Sequence, residues 1–103
     1  MLNSKERAFL RGLASKLDTT IYVGKNGISD TLCTQIEEEF AVRELIKGKV
    51  LENAMLTPRE VCDDLAARMK ADPVQVIGSK FVLYRPNSKL DKEKRIALPK
   101  GKK

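Results

Sequence analysis

At 103 residues the chain has room for one domain, and its 42% apolar residues suffice for a single core. Twenty Lys and Arg against 14 Asp and Glu give a formal charge of +6, a balance that favours a polyanionic partner, and the excess is concentrated in the first 27 and the last 19 residues, around an acidic middle. The absence of histidine removes the commonest general base and metal ligand, and with them the Ser-His-Asp and Cys-His arrangements.

Residues 3–17 are predicted to form a helix, because Phe9, Leu10, Leu13, Ala14 and Leu17 recur at spacings of three and four and make one apolar stripe. Asn3 and Glu6 have the spacing of a capping box, and Arg7 and Arg11 lie one turn apart on the solvent side. The β-branched and aromatic run Thr19–Val23 reads as a short strand, which Gly24-Lys25-Asn26-Gly27 breaks. Ser29 caps the next helix, with Ile28 and Cys33 as a hydrophobic staple, Ile36 and Phe40 continuing the stripe, and Glu37, Glu38 and Glu39 on the wet side.

From Leu45 to Leu51 the pattern alternates, so Ile46, Gly48 and Val50 point one way and Lys47 and Lys49 the other. Thr57-Pro58-Arg59-Glu60 combines an N-cap threonine, proline at the first helical position and glutamate at the third, and opens a helix carrying Val61, Leu65 and Met69. That helix is expected to end at Ala71-Asp72-Pro73. Two strands, 74–77 and 80–85, flank Gly78-Ser79, where a leading glycine suits a two-residue type II′ hairpin. After Pro86 the chain turns Lys-rich and is expected to be loosely held except for an Ile96-Ala97-Leu98 anchor. The expected fold is a single compact α+β domain of order α-β-α-β-α-β-β, with a four-stranded mixed sheet and helices over residues 1–99 and a basic tail at 100–103.

The G-x-x-G of Gly24 to Gly27 joins a strand to a capped helix. Two glycines let a sugar-phosphate chain come close, the helix N-terminus offers free N–H groups and positive dipole, and Lys25 adds a cation. An ordinary strand-to-helix turn has the same look. Arg7, Arg11 and Lys16 with Lys47 and Lys49 would extend a phosphate-binding track, each being individually also a common solvated cation. Tyr22 and Tyr84 have apolar neighbours in strands and are expected in core or half-buried positions rather than on a stacking surface. Cys33 and Cys62, without C-x-x-C spacing, suggest neither a zinc site nor a disulfide framework, and fit inert buried thiols in a reducing, cytoplasmic compartment. The longest apolar run, Phe81–Tyr84, is far too short to span a bilayer, so no membrane association is expected.

Gly24-Lys25-Asn26-Gly27-Ile28, Glu44-Leu45-Ile46-Lys47 and Val74-Gln75-Val76-Ile77-Gly78, followed by Val82-Leu83-Tyr84-Arg85-Pro86, together resemble the CRM domain, the RNA-splicing and ribosome-maturation module, in its bacterial stand-alone YhbY-like form, over about residues 2–99. The resemblance implies a fold like the C-terminal domain of bacterial translation initiation factor three, a KH-like G-x-x-G loop that contacts RNA, and association with ribosomal RNA in precursors of the large ribosomal subunit. It assigns the loop role to Gly24, Lys25, Asn26 and Gly27 and a basic-surface role to Arg7, Arg11, Lys47 and Lys49. The family commonly has valine where this chain has Gly48, which implies a bulge or a close backbone approach there. The expected function is non-enzymatic RNA binding in ribosome assembly, without cofactor, metal or small-molecule substrate. A DNA-binding, nucleoid-associated module and a protein-interaction adaptor are the alternatives.

Overall fold

A computed structural model, which describes residues 2–98, places α1 at Ser4–Ala14, β1 at Ile21–Val23, α2 at Asp30–Phe40 and β2 at Leu45–Val50. There follow α3 (Pro58–Met69), β3 (Asp72–Ile77), β4 (Lys80–Tyr84) and a short 3-10 turn at Lys92–Lys94. The expected α-β-α-β-α-β-β order is present, and the fold is α+β. The basic tail assigned to residues 100–103 lies outside the described residues.

Local chemistry explains where the elements begin. Asn3–Glu6 and Thr57–Glu60 are reciprocal capping boxes, and Pro58 opens α3. Ser29 Oγ accepts from the Leu32 amide at 3.1 Å to cap α2. Gly78, at φ +58°, leads the β3–β4 turn while Ser79 keeps a negative φ, the signature of type II′ rather than I′. The strands form one sheet in the order β1-β2-β4-β3, with β1 parallel to β2 and the other pairs antiparallel. Helix α2 makes the crossover that a parallel pair requires.

The two faces of the sheet are buried by different helices. Ile21, Val23, Ile46, Val50, Phe81 and Leu83 meet α2 and α3 through Ile36, Phe40, Val61 and Leu65, all buried. On the opposite face Leu45, Val74, Val82 and Tyr84 meet Leu2, Leu10 and Ala14 of the N-terminal segment, with Leu13, Leu17, Ile96 and Leu98 packed around them. Cys62 lies in the first core, where burial pushes its thiol up to about 11 and leaves it unreactive at neutral pH.

Four expectations about the helices and the C-terminal segment need correction. Helix α1 stops at Ala14, and residues 15–17 tighten into a turn in which the Lys16 and Leu17 amides reach back three residues to Leu13 and Ala14. Phe9 is 40% exposed, because α1 packs on one sheet face through the narrower set Leu10, Leu13 and Ala14, with Leu17 of the following turn beside them. Helix α3 ends before Ala71, with Lys70 in the left-handed region at φ 54°, and Pro73 lies inside β3. An edge strand tolerates a residue without an N–H, and the register shifts between Pro73 and Gln75.

The fourth correction concerns residues beyond Pro86, which are tied down by a buried carboxylate. Glu44 is 1% exposed and accepts from the Asn87 amide at 2.7 Å, the Ile96 amide at 2.5 Å and Arg95 Nε at 3.5 Å. Asn87 Nδ2 donates to the Phe40 carbonyl at 3.1 Å, which fixes the same segment to the end of α2.

Arg85 forms a second knot. Its guanidinium donates to both Glu37 carboxylate oxygens at 3.0 and 2.6 Å and to the Met69 carbonyl at 3.0 Å, and lies 4.6 Å from the centre of the Phe40 ring. The Arg85 hydrogen bonds hold the Glu37 carboxyl below its ordinary 4.5; slight burial opposes the shift and the Arg85 charge adds to it. Because the folded value is the lower one, the contribution of the pair is complete above the unfolded value and is lost as pH falls through the folded one. Glu37 is more than half exposed, so the effect stays within about 1 kcal/mol. Urea unfolding of Glu37→Gln and wild type should show a deficit at neutral pH that closes well below pH 4.5. A deficit independent of pH contradicts this account.

Candidate functional site

The chain leaves β1 at Val23 and turns at once into Gly24-Lys25-Asn26-Gly27, where the Gly27 amide donates to the Gly24 carbonyl at 2.9 Å and closes a four-residue turn. Only Gly27, at φ +62°, requires glycine for its backbone. Gly24 does not. A Cβ built there meets Asn53 Oδ1 and Leu51 Cδ1 at 3.5 and 3.7 Å, ordinary contact distances. Neither packing nor backbone conformation therefore requires a glycine at Gly24.

The loop, Tyr22 and the start of α2 line a hollow of about 220 Å³, with Ser29, Thr31, Leu32 and Gln35 on its helix side. Lys25 and Asn26 are exposed. The Ser29 hydroxyl occupies the Leu32 amide; those of Asp30 and Thr31 are first-turn groups without an intrahelical acceptor. The helix dipole adds positive potential at this end. Asp30, the acid of the first turn, is exposed and is not among the residues lining the hollow. Such a site is suited to holding an anion against backbone amides, with Lys25 as the mobile cation.

The remaining basic candidates divide among different places. Lys49 is half-buried on β2, directly opposite Tyr22 of β1. Lys47 Nζ donates to the Ala14 and Leu17 carbonyls at 3.1 and 3.4 Å, so its ammonium is engaged by the C-terminal end of α1. Arg11 lines a groove of about 360 Å³ with Lys47, Gln75, Ile77 and Lys80. Arg7 lines another, with Arg59 and residues 73–76 of β3, away from the loop hollow. Lys16 is exposed just beyond α1.

Tyr22 departs from its expected core or half-buried position. It is 54% exposed and lines the loop hollow, its hydroxyl donating to the Thr19 carbonyl at 3.3 Å, whereas Tyr84 is buried as expected. Strand alternation carried the signal: with Ile21 and Val23 turned into the core, Tyr22 must face the other way. Lys80, absent from the sequence reading of the basic track, lies opposite Lys49.

The CRS1 / YhbY (CRM) domain matches residues 2–85. A Bacillus subtilis protein named "Probable RNA-binding protein YqeI" is 37% identical over 99 residues, spanning 96% of this chain and 100% of its own. A Haemophilus influenzae protein named "RNA-binding protein" is 35% identical over 99 residues, 96% of each chain. The solution structure of SAV1595 from Staphylococcus aureus is similar with a TM-score of 0.78 at 40% identity, covering 96% of this chain and 100% of that one. The chain belongs to the CRS1/YhbY (CRM) domain family.

Proposed function

We propose that this is a non-enzymatic RNA-binding protein that attaches to ribosomal RNA in precursors of the large ribosomal subunit and assists ribosome assembly in the cytoplasm. The observation that carries the reading is the bare backbone at Gly24, in a loop that shares one hollow with the N-terminal turn of α2. Basic chain ends draw the protein to RNA, and a phosphate settles against the α2 amides with Lys25 closing over it. Lys49 and Arg11 supply further phosphate contacts, and Lys47 acts by neutralising the carbonyls at the end of α1. Relatives of nearly equal length carry RNA-binding names, which supports RNA as the partner.

Gradient sedimentation of cells that are building ribosomes tests the reading. The protein should travel with immature large-subunit particles at low salt and leave them as salt rises, because phosphate contacts release counterions. Recovery wholly at the top of the low-salt gradient overturns the ribosomal assignment.

A further inference from the structure

Helix α1 covers only part of its sheet face. The register places Tyr22 of β1, Lys49 of β2, Lys80 of β4 and Ile77 of β3 side by side across all four strands. This row lies on the α1 face, because Lys80 is two residues from buried Val82 and Lys49 is two from Lys47, which reaches α1. Tyr22 and Ile77 at its ends remain 54% and 59% exposed, and the two lysines between them are half-buried. At one end the row opens into the loop hollow through Tyr22, and at the other into the Arg11 groove through Lys80 and Ile77. An aromatic ring, two ammonium groups and an aliphatic end thus form a continuous strip about 14 Å long, from three strand spacings.

We infer that single-stranded RNA leaving the loop runs across this row, with one base stacked on Tyr22, phosphates on Lys49 and Lys80, and the strand ending against Ile77 and Arg11. The inference rests on the RNA-binding reading and deepens it. Its occupant follows from the chemistry of the row: an exposed ring on which a base can stack stands beside two ammonium groups that can hold the phosphates following it. A strip of this length takes about two or three nucleotides, as four-stranded RNA-binding sheets do. Duplex RNA fits poorly, because its bases are already stacked on each other and cannot reach the Tyr22 ring.

Titration with a mixed-sequence single-stranded RNA oligomer and with a duplex of the same length tests this. Tyr22→Ala should weaken single-strand binding about tenfold and leave the duplex unaffected, while Tyr22→Phe keeps wild-type affinity. Lys49→Gln/Lys80→Gln should weaken it too and make the salt dependence shallower by about 1.4, two contacts at 0.7 each. The chain has no Trp and Tyr84 is buried, so a change in tyrosine fluorescence on binding reports Tyr22 and should vanish in Tyr22→Phe. Thermal melting of each variant establishes that it folds. Folded Tyr22→Ala and Lys49→Gln/Lys80→Gln proteins that bind like wild type, while loop variants lose affinity, overturn the strip and leave the loop reading standing. Wild-type protein that binds neither RNA overturns both.

Discussion

Replacing Gly48 by valine should lower the melting temperature by roughly 10–20 °C. Gly48 sits opposite Phe81 in the β2–β4 pair, and a Cβ added there drives into the Phe81 ring, with Cε2 and Cε1 at 2.6 and 2.8 Å and Cζ nearer still. The ring cannot swing aside, because Phe81 is fully buried among side chains from α2, α3 and the sheet. The β2–β4 register is continuous through this position, so Gly48 marks neither the bulge nor the close backbone approach expected there: a side chain, the Phe81 ring, takes the space. Overpacking costs about 1–3 kcal/mol or more. The variant Gly48→Val/Phe81→Leu should recover much of the loss, since the ring and the added side chain compete for one volume. A single variant that melts like wild type, or a double variant worse than the sum of its parts, shows that the ring does not fill the Gly48 site.

Glu44→Ala should destabilise by about 2–4 kcal/mol, because it leaves two part-buried backbone donors without their acceptor, while the half-exposed Arg95 can turn to water. Glu44→Gln should be milder, since one oxygen can still accept while the new amide faces a donor. The effect has a place as well as a size. Amide exchange at Asn87 and Ile96 should rise far more than in α3, which meets the other sheet face through a separate core. Equal rises throughout would mean that Glu44 supports the whole domain and not the C-terminal segment.

Features readable in the sequence were those decided within a few residues. Both capping boxes, the Ser29 cap, the alternation of β2 and the II′ glycine each require a particular side chain or φ at a fixed spacing, and all are present in the structure. Features that escaped depend on what arrives from far along the chain. Nothing near Glu44 shows that amides 43 and 52 residues away converge on it. The direction of Lys47 followed from alternation, but its capture by α1 carbonyls follows from how far α1 reaches over the sheet. Tyr22 is exposed for the same reason: α1 ends early and covers the far part of the face only. The candidate loop was legible as a motif because its two glycines are adjacent in sequence, whereas the strip beside it joins four strands and exists only in the assembled sheet.

The central claim, that the Gly24–Gly27 loop holds RNA phosphate, is tested most directly by titrating RNA into Lys25→Asp/Asn26→Asp, with thermal melting alongside. Neither residue has a positive φ and both are exposed, so aspartates fit the turn and stability should stay within about 1 kcal/mol of wild type. Two negative charges then stand at the mouth of the hollow, where the α2 dipole accepts them and a phosphate cannot approach. The account predicts unchanged melting and an affinity at least about tenfold weaker, or about 1.4 kcal/mol. A variant that melts like wild type and binds the same RNA equally well contradicts it, and reduces the loop to a turn between β1 and α2.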